Sequence, residues 1–147
     1  MGVDYVISQA DPPAREDVDA LIRRLSAFNS QFAGDEQYRP LAFFLRDVDG
    51  EMASGISGST SWNWLAIELL WVRQDLRGQG YGGRLLDAAE QEAVRRGRDR
   101  ALLDTMSFQA PRFYQERGYT IFGELADFPG GHARFYLTKR LPPLSPR

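Results

Sequence analysis

The amino-acid sequence predicts a mixed α/β fold built on one sheet, and three features of the pattern support this prediction. An almost wholly apolar run, residues 63–72, has the composition of a central strand buried on both faces. A glycine-rich turn, an amphipathic helix and a second apolar strand follow it, which is the order of a parallel β-α-β unit. Hairpin signals stand before and after this unit, so antiparallel strands are expected on both sides of it.

Bulk composition limits the organisation of the chain and its classes of function. With 147 residues, of which 43% are hydrophobic, the sequence predicts one domain, residues 1–141, followed by a disordered tail, residues 142–147. The formal net charge of -2 and the dispersed basic residues argue against a nucleic-acid partner. The sequence has no cysteine and a single histidine, His132, which excludes disulfides, thiol catalysis and Cys/His zinc sites.

Targeting signals are absent from the pattern. The first residues lack the basic and long apolar segments of a signal peptide, and no apolar run approaches the length of a membrane span. We therefore expect a cytoplasmic protein that does not bind a membrane.

The N-terminal region reads as a strand followed by a helix. Alternation over residues 4–10 predicts the strand, and Asp11 with the prolines after it predicts a helix start. Apolar residues then recur at helical spacing and predict one buried face; they are Val18, Leu21, Ile22, Leu25 and Phe28.

The remaining elements follow from turn residues and periodicity. The pair Asp49 and Gly50 between apolar segments predicts a hairpin. Residues 83–97 predict a helix whose inward positions are Leu85, Leu86, Ala89 and Ala93. A buried strand over 100–106, a short helix over 110–118 and a final hairpin complete the chain.

The segment Arg77–Gly83 holds four glycines in seven residues. Each glycine costs stability relative to alanine, so this density indicates that the backbone must approach a ligand closely, most simply a phosphate. Gly78, Gly80 and Gly83 match the dinucleotide fingerprint, with Asp104 about 20 residues further on. The motif stands late in the chain, however, so a Rossmann-type oxidoreductase is the weaker alternative.

A second reading of the same turn begins at Arg77. The pattern Arg77-x-x-Gly80-x-Gly82 fits R/Q-x-x-G-x-G/A, and residues 110–119 fit A-x-x-F-Y-x-x-x-G-F/Y. With these motifs the sequence resembles the GNAT superfamily of acyl-CoA-dependent N-acyltransferases. The resemblance implies a GNAT-like fold, in which a splayed strand pair in the β-α-β unit is flanked by antiparallel strands. It further implies a homodimer that transfers acetyl from acetyl-CoA directly to a primary amine without a metal.

The resemblance also assigns a cofactor site at the glycine-rich turn. Ser107 stands where many members carry an asparagine, which puts local cofactor contacts in question. The expected cofactor-binding residues are Leu70, Trp71, Val72, Arg77, Gly78, Gln79, Gly80, Tyr81, Gly82, Gly83, Arg84, Ser107, Phe113 and Tyr114.

Three catalytic residues are expected from the same resemblance. Tyr114 would protonate the leaving thiolate, and packing beside Phe113 is its structural alternative. Glu68, the only charge in the apolar strand, would accept the amine proton, with an arginine salt bridge as the alternative. His132 is the second candidate base, and water is the third. A main-chain amide of Leu70 or Trp71 would stabilise the oxyanion.

Four aromatic residues lie in segments that by resemblance surround the acceptor amine. They would form an aromatic pocket, or else pack at the edge of the sheet; they are Phe32, Tyr38, Trp62 and Trp64. The sequence does not identify the acceptor, which is expected to be a small-molecule or peptide amine. A non-catalytic module that only binds acyl-CoA is the principal alternative function.

Overall fold

The computed structural model describes residues 2–144, and the chain divides into two compact units, Met1–Glu36 and Gln37–Arg147. The first unit contains helix α1, Arg15–Ala33. Its start at Arg15 follows Pro12 and Pro13, because a residue that precedes proline is held in extended backbone. The helix ends at Gly34, whose positive φ of 72° suits glycine and whose N–H donates to the carbonyl of Ser30.

Three expectations for this unit were wrong. Ala14, and not Asp11, is the N-cap residue. Residues 4–10 form no strand, because an alternating pattern becomes a strand only when a neighbour completes its hydrogen bonds. The five apolar positions of α1 are exposed and not buried, since a single helix has no second element within this unit to cover them.

The second unit is a six-stranded mixed sheet with the strand order β1-β2-β3-β4-β6-β5, which confirms the predicted fold class. Its strands are β1, Arg39–Arg46; β2, Met52–Ser61; β3, Trp64–Val72; β4, Arg100–Met106; β5, Thr120–Ala126; and β6, Ala133–Arg140. A 3₁₀ turn, Gln74–Leu76, precedes α2, Tyr81–Arg95, and α3 spans Pro111–Glu116.

One parallel strand pair, β3 with β4, stands in an otherwise antiparallel sheet. The predicted hairpin at Gly50 is present, with the Asp47 carboxylate accepting the N–H groups of Asp49 and Glu51. A dinucleotide-binding fold requires several parallel units, so the Rossmann alternative is wrong.

The two parallel strands separate, as the resemblance implied. Their pairing covers Trp64 with Arg100, Leu65 with Ala101 and Ala66 with Leu102, and it ends there. A β-bulge places Glu68 between the paired positions Ile67 and Leu69 of β3. The remaining half of β3 therefore keeps β2 as its neighbour and leaves its other edge open.

The core lies between the sheet and α2. Leu85, Leu86, Ala89 and Ala93 are buried, as their spacing predicted. On β3, Leu65 and Ile67 are buried, but Glu68, Leu69 and Trp71 are exposed. The expectation that β3 is buried on both faces along its whole length was wrong, because β4 leaves its side after Ala66.

Within residues 2–144, no helix is long and apolar enough to cross a membrane. Residues 142–144 have no assigned secondary structure. The rest of the predicted disordered tail, residues 145–147, lies outside the described residues.

Candidate active site

A cavity of about 790 Å³ opens where β3 and β4 separate. Its walls come from the open half of β3, the end of β4, the turn before α2, and α3. It brings together twelve of the residues that the sequence predicted for the site: Glu68, Leu70, Trp71, Val72, Arg77, Gly78, Gly80, Tyr81, Gly82, Gly83, Phe113 and Tyr114.

The four glycines of the turn meet different requirements. Gly78 and Gly80 have φ values of 76° and 87°, a backbone conformation that strains other residues. A Cβ on Gly82 would lie 3.5 Å from Val72 Cγ2 and 3.6 Å from Phe113 Cζ, so it would fit but would fill space beside the cavity. A Cβ on Gly83 would collide with the guanidinium of Arg117.

The N-terminus of α2 is suited to an anion. Its N-cap is Gly80, which has no side chain to accept the N–H groups of the first turn. Those amides and the positive end of the helix dipole face the region of the glycine turn. The turn therefore fits a phosphate group, and the missing side chains leave room for its approach.

Polar side chains of the turn stabilise the turn itself. Arg77 Nε donates to the carbonyl oxygen of Val72 at 3.0 Å, and Gln79 Nε2 donates to that of Asp75 at 2.9 Å. The guanidinium of Arg84 lies over the Tyr81 ring, 5.6 Å from its centroid. Gln79 and Arg84 are outside the set that lines the cavity, so the predicted cofactor role of these two side chains gains no support from the geometry.

Tyr114 lines the cavity and is buried, with 7% of its surface exposed. Its ring packs edge-on against Phe113 and Tyr119, with centroid distances of 5.0 and 5.8 Å. Burial, with a smaller effect of the Asp104 charge, raises the pKa of Tyr114 to about 12. The hydroxyl therefore keeps its proton at neutral pH and can donate it.

A polar network holds Tyr119, whose ring packs against Tyr114. The Tyr119 hydroxyl donates to Glu90 Oε2 at 3.1 Å, and Lys139 Nζ donates to Glu90 Oε1 at 2.6 Å. Sequence reasoning missed this network, because Glu90 lies at a helix position whose burial follows only from the packing of α2 on the sheet. The network fixes the ring that packs against Tyr114.

Glu68 lines the cavity with an exposed carboxylate. Among residues 2–144 its carboxylate forms no ion pair and accepts no hydrogen bond, so the salt bridge considered from the sequence is not present there. The bulge explains this placement, because it gives Glu68 a position outside the regular alternation of β3. An unpaired carboxylate of this kind can bind or deprotonate an amine.

His132 and Ser107 lie next to the cavity but do not line it. The His132 ring packs edge-on against Phe108, a lining residue, with a centroid distance of 4.9 Å. Ser107 exchanges two hydrogen bonds with Ala133, one from its N–H at 2.8 Å and one to its Oγ at 3.0 Å. Ser107 thus ties the end of β4 to the start of β6.

Of the four aromatic residues expected around the acceptor, the three in the second unit, Tyr38, Trp62 and Trp64, do not line this cavity. Phe32 lies in the first unit and packs against Phe28, and Tyr38 is exposed. Trp62 lies in the turn between β2 and β3. Trp64 begins β3, where β3 still pairs with β4, and Arg100 lies over its ring. For Trp64 the structure favours the packing alternative.

Several lining residues were missed by sequence reasoning. Asp104 was considered only for the dinucleotide alternative, yet it lines the cavity and pairs with Arg134 at 2.8 Å. Leu69 and Phe108 are exposed apolar residues of the same wall. Leu69 lies inside an apolar run, where the sequence carries no signal that separates an exposed side chain from the core.

Comparison with known proteins agrees with this geometry. The model of the acetyltransferase (GNAT) family matches residues 8–119. The chain belongs to the GNAT family of acetyltransferases. This GNAT chain is 35% identical over 139 residues to acetyltransferase Atu2258 of Agrobacterium fabrum, covering 94% of this chain and 99% of that protein. It is 41% identical over 93 residues to blasticidin-S acetyltransferase of Streptomyces morookaense, covering 63% and 68%.

Solved structures support the same assignment. An acetyltransferase from Agrobacterium tumefaciens superposes with a TM-score of 0.84 at 34% identity, covering 94% of this GNAT chain and 99% of that one. An acetyltransferase from Bacillus cereus gives a TM-score of 0.82 at 29% identity, covering 93% and 98%.

Proposed function

We propose that this protein transfers an acetyl group from acetyl-CoA directly to a primary amine. The observation that carries the proposal is the meeting of three features in one cavity. These are the uncapped N-terminus of α2, the buried Tyr114 and the unpaired Glu68.

Two parts of the chain fit acetyl-CoA. The first-turn amides of α2 suit its pyrophosphate, and the space beside Gly82 allows the phosphates to approach. The open edge of β3 beyond Ala66 offers backbone groups that β4 leaves without a partner in this pairing, and these suit the amides of the pantetheine arm. The fit supports the proposed roles of Leu70, Trp71 and Val72.

Protein groups supply each proton transfer of the reaction. Glu68 accepts a proton from the acceptor ammonium, so that the neutral amine attacks the thioester carbonyl. A main-chain N–H of Leu70 or Trp71 donates to the carbonyl oxygen as it gains charge. The C–N bond forms and the C–S bond breaks as Tyr114 gives its proton to the sulfur. The attacking nitrogen then loses its second proton to the Tyr114 phenolate, and Glu68 releases to solvent the proton that it accepted. The products are the amide, free CoA and one proton.

We further propose that the acceptor is a small-molecule amine. One relative is named blasticidin-S acetyltransferase, which makes blasticidin S the first compound to test. The cavity wall supports an acceptor with an apolar body, since exposed Leu69 and Phe108 accompany Glu68 there.

Two measurements test the proposed function. Saturating acetyl-CoA, at about 100 times its Kd, should stabilise the protein by roughly 2.7 kcal/mol, whereas NAD(H) should leave its melting temperature unchanged. Release of free CoA should then depend on the added amine, with the acetylated product identified by mass spectrometry. Absence of stabilisation by acetyl-CoA would refute the proposal. Binding without transfer to any amine would favour the non-catalytic module.

The remaining expectations are proposed on the same basis. We propose that residues 1–141 function as one acetyltransferase domain in a cytoplasmic homodimer that needs no metal. Edge strand β5 carries the exposed Phe122 and supports a contact between copies. Light scattering on the purified protein tests the dimer directly.

A further inference from the structure

The Asp104 carboxylate and the Arg134 guanidinium form an ion pair beside the proposed reaction centre. Asp104 lies near the end of β4 and lines the same cavity as Tyr114 and Glu68. Arg134 Nε donates to Asp104 Oδ1 at 2.9 Å, and Nη2 lies 2.8 Å from the same oxygen. Asp104 is a lining residue of the cavity, and Arg134 is not.

Arg134 is held in one orientation by aromatic rings. Its guanidinium carbon lies 4.7 Å from the centroid of the Phe128 ring and 5.4 Å from that of Tyr136. In the register of the two strands, Tyr136 of β6 is opposite Asp104 of β4. The pair is partly exposed, with 24% of the Arg134 side chain and 37% of the Asp104 side chain accessible. Such a pair contributes little to stability, so its fixed geometry suggests another role.

Negative charge develops in this cavity during the proposed reaction, first on the carbonyl oxygen and then on the sulfur. An uncompensated carboxylate in the wall would oppose both, and the repulsion is stronger in a partly desolvated cavity than in water. The Asp104 charge does act at the reaction centre, because it contributes to the raised pKa of Tyr114. A fixed cation against Asp104 removes this penalty without entering the cavity.

We propose that Arg134 is a charge-compensating residue, which neutralises Asp104 so that the cavity can accept the anionic sulfur of CoA. This inference rests on the proposed function. Arg134 acts through Asp104 and touches neither substrate. Its effect should appear only for ligands that carry negative charge at the sulfur.

Binding at about pH 10.5 separates the ligands by that charge. The CoA thiol is a simple alkyl thiol that ionises above the cysteine value of about 8.5, so it is mostly a thiolate only at such a pH, whereas the acetyl-CoA sulfur cannot ionise. Isothermal titration of Arg134→Gln should show CoA binding about tenfold weaker than in the wild type, and acetyl-CoA binding changed by less than about twofold. The double variant Asp104→Asn/Arg134→Gln should restore CoA binding. Arg134→Lys, which keeps the charge, should restore part of it.

A matched control is Arg140→Gln, which removes an exposed arginine at the other end of β6 and should leave both affinities unchanged. In steady-state assays kcat of Arg134→Gln should fall about tenfold, with the KM for acetyl-CoA nearly constant. Equal weakening of both ligands would show that Arg134 only maintains local structure, and unchanged CoA binding would also overturn the inference. Failure of the double variant to recover would do the same. A wild-type chain that binds neither ligand would refute the proposed function itself.

Discussion

Replacing Tyr114 with phenylalanine removes one hydroxyl and keeps the ring that packs against Phe113 and Tyr119. The raised pKa, about 12, means that at pH 7 only about one molecule in 10⁵ carries a phenolate, so nearly every wild-type molecule has the proton to donate. A positioned general acid contributes about 10²- to 10⁴-fold to the rate. We expect kcat of Tyr114→Phe to fall by at least about tenfold, because solvent can replace part of that contribution.

The assay should follow acetylated product at saturating amine, under conditions where chemistry and not product release limits turnover. Acetyl-CoA affinity should stay within about twofold, since the hydroxyl acts when charge develops on the sulfur. The melting temperature should change little, because the packing of the ring is retained. A variant with wild-type kcat under these conditions would refute the role of Tyr114 as proton donor. A large loss of stability would show that the hydroxyl is structural.

Three further predictions follow from neighbouring residues. Gly82→Val should abolish stabilisation by acetyl-CoA with little loss of fold, because its side chain would fill space beside Val72 and Phe113. Melting temperatures without and with acetyl-CoA measure the fold and the stabilisation, and stabilisation equal to that of the wild type would contradict the phosphate site. Glu68→Gln should lower kcat most at neutral pH and less at high pH, where more amine is already neutral; a larger effect of His132→Gln in the same pH series would move the base to the hairpin. Lys139→Met should cost about 3–5 kcal/mol of unfolding free energy, because it leaves Glu90 buried without its cation; denaturant unfolding measures this, and a cost below about 1 kcal/mol would contradict the network.

Local sequence signals predicted the sheet and much of the cavity. Each of these elements depends on residues that are close together in the sequence. They are the apolar run of β3, the turn residues, and the helical spacing of Leu85, Leu86, Ala89 and Ala93, and the structure confirms the elements that they predict. The presence of Gly80 and Gly82 in the same cavity as Tyr114 followed from motifs of known spacing. The catalytic and binding roles of these residues stay predictions.

Features that depend on distant partners could not be read from the sequence. Strand formation by residues 4–10 depends on hydrogen bonds from another segment, and the alternating pattern does not supply them. The exposure of Glu68 depends on a bulge, which requires Gly58 on the neighbouring strand to lie against the Ala66 carbonyl. The pairing of Asp104 with Arg134 joins residues 30 positions apart, and neither has a local pattern that identifies its partner.

The separation of β3 from β4 also divides the sheet mechanically. In the described sheet, three residue pairs join the half made of β1, β2 and β3 to the half made of β4, β6 and β5. A ligand lying in the gap would contact both halves of the sheet. Its binding would then raise the free energy that is needed to separate β3 from β4. Hydrogen exchange should therefore slow at the open ends of both strands and also at amides of the two halves that the ligand does not contact.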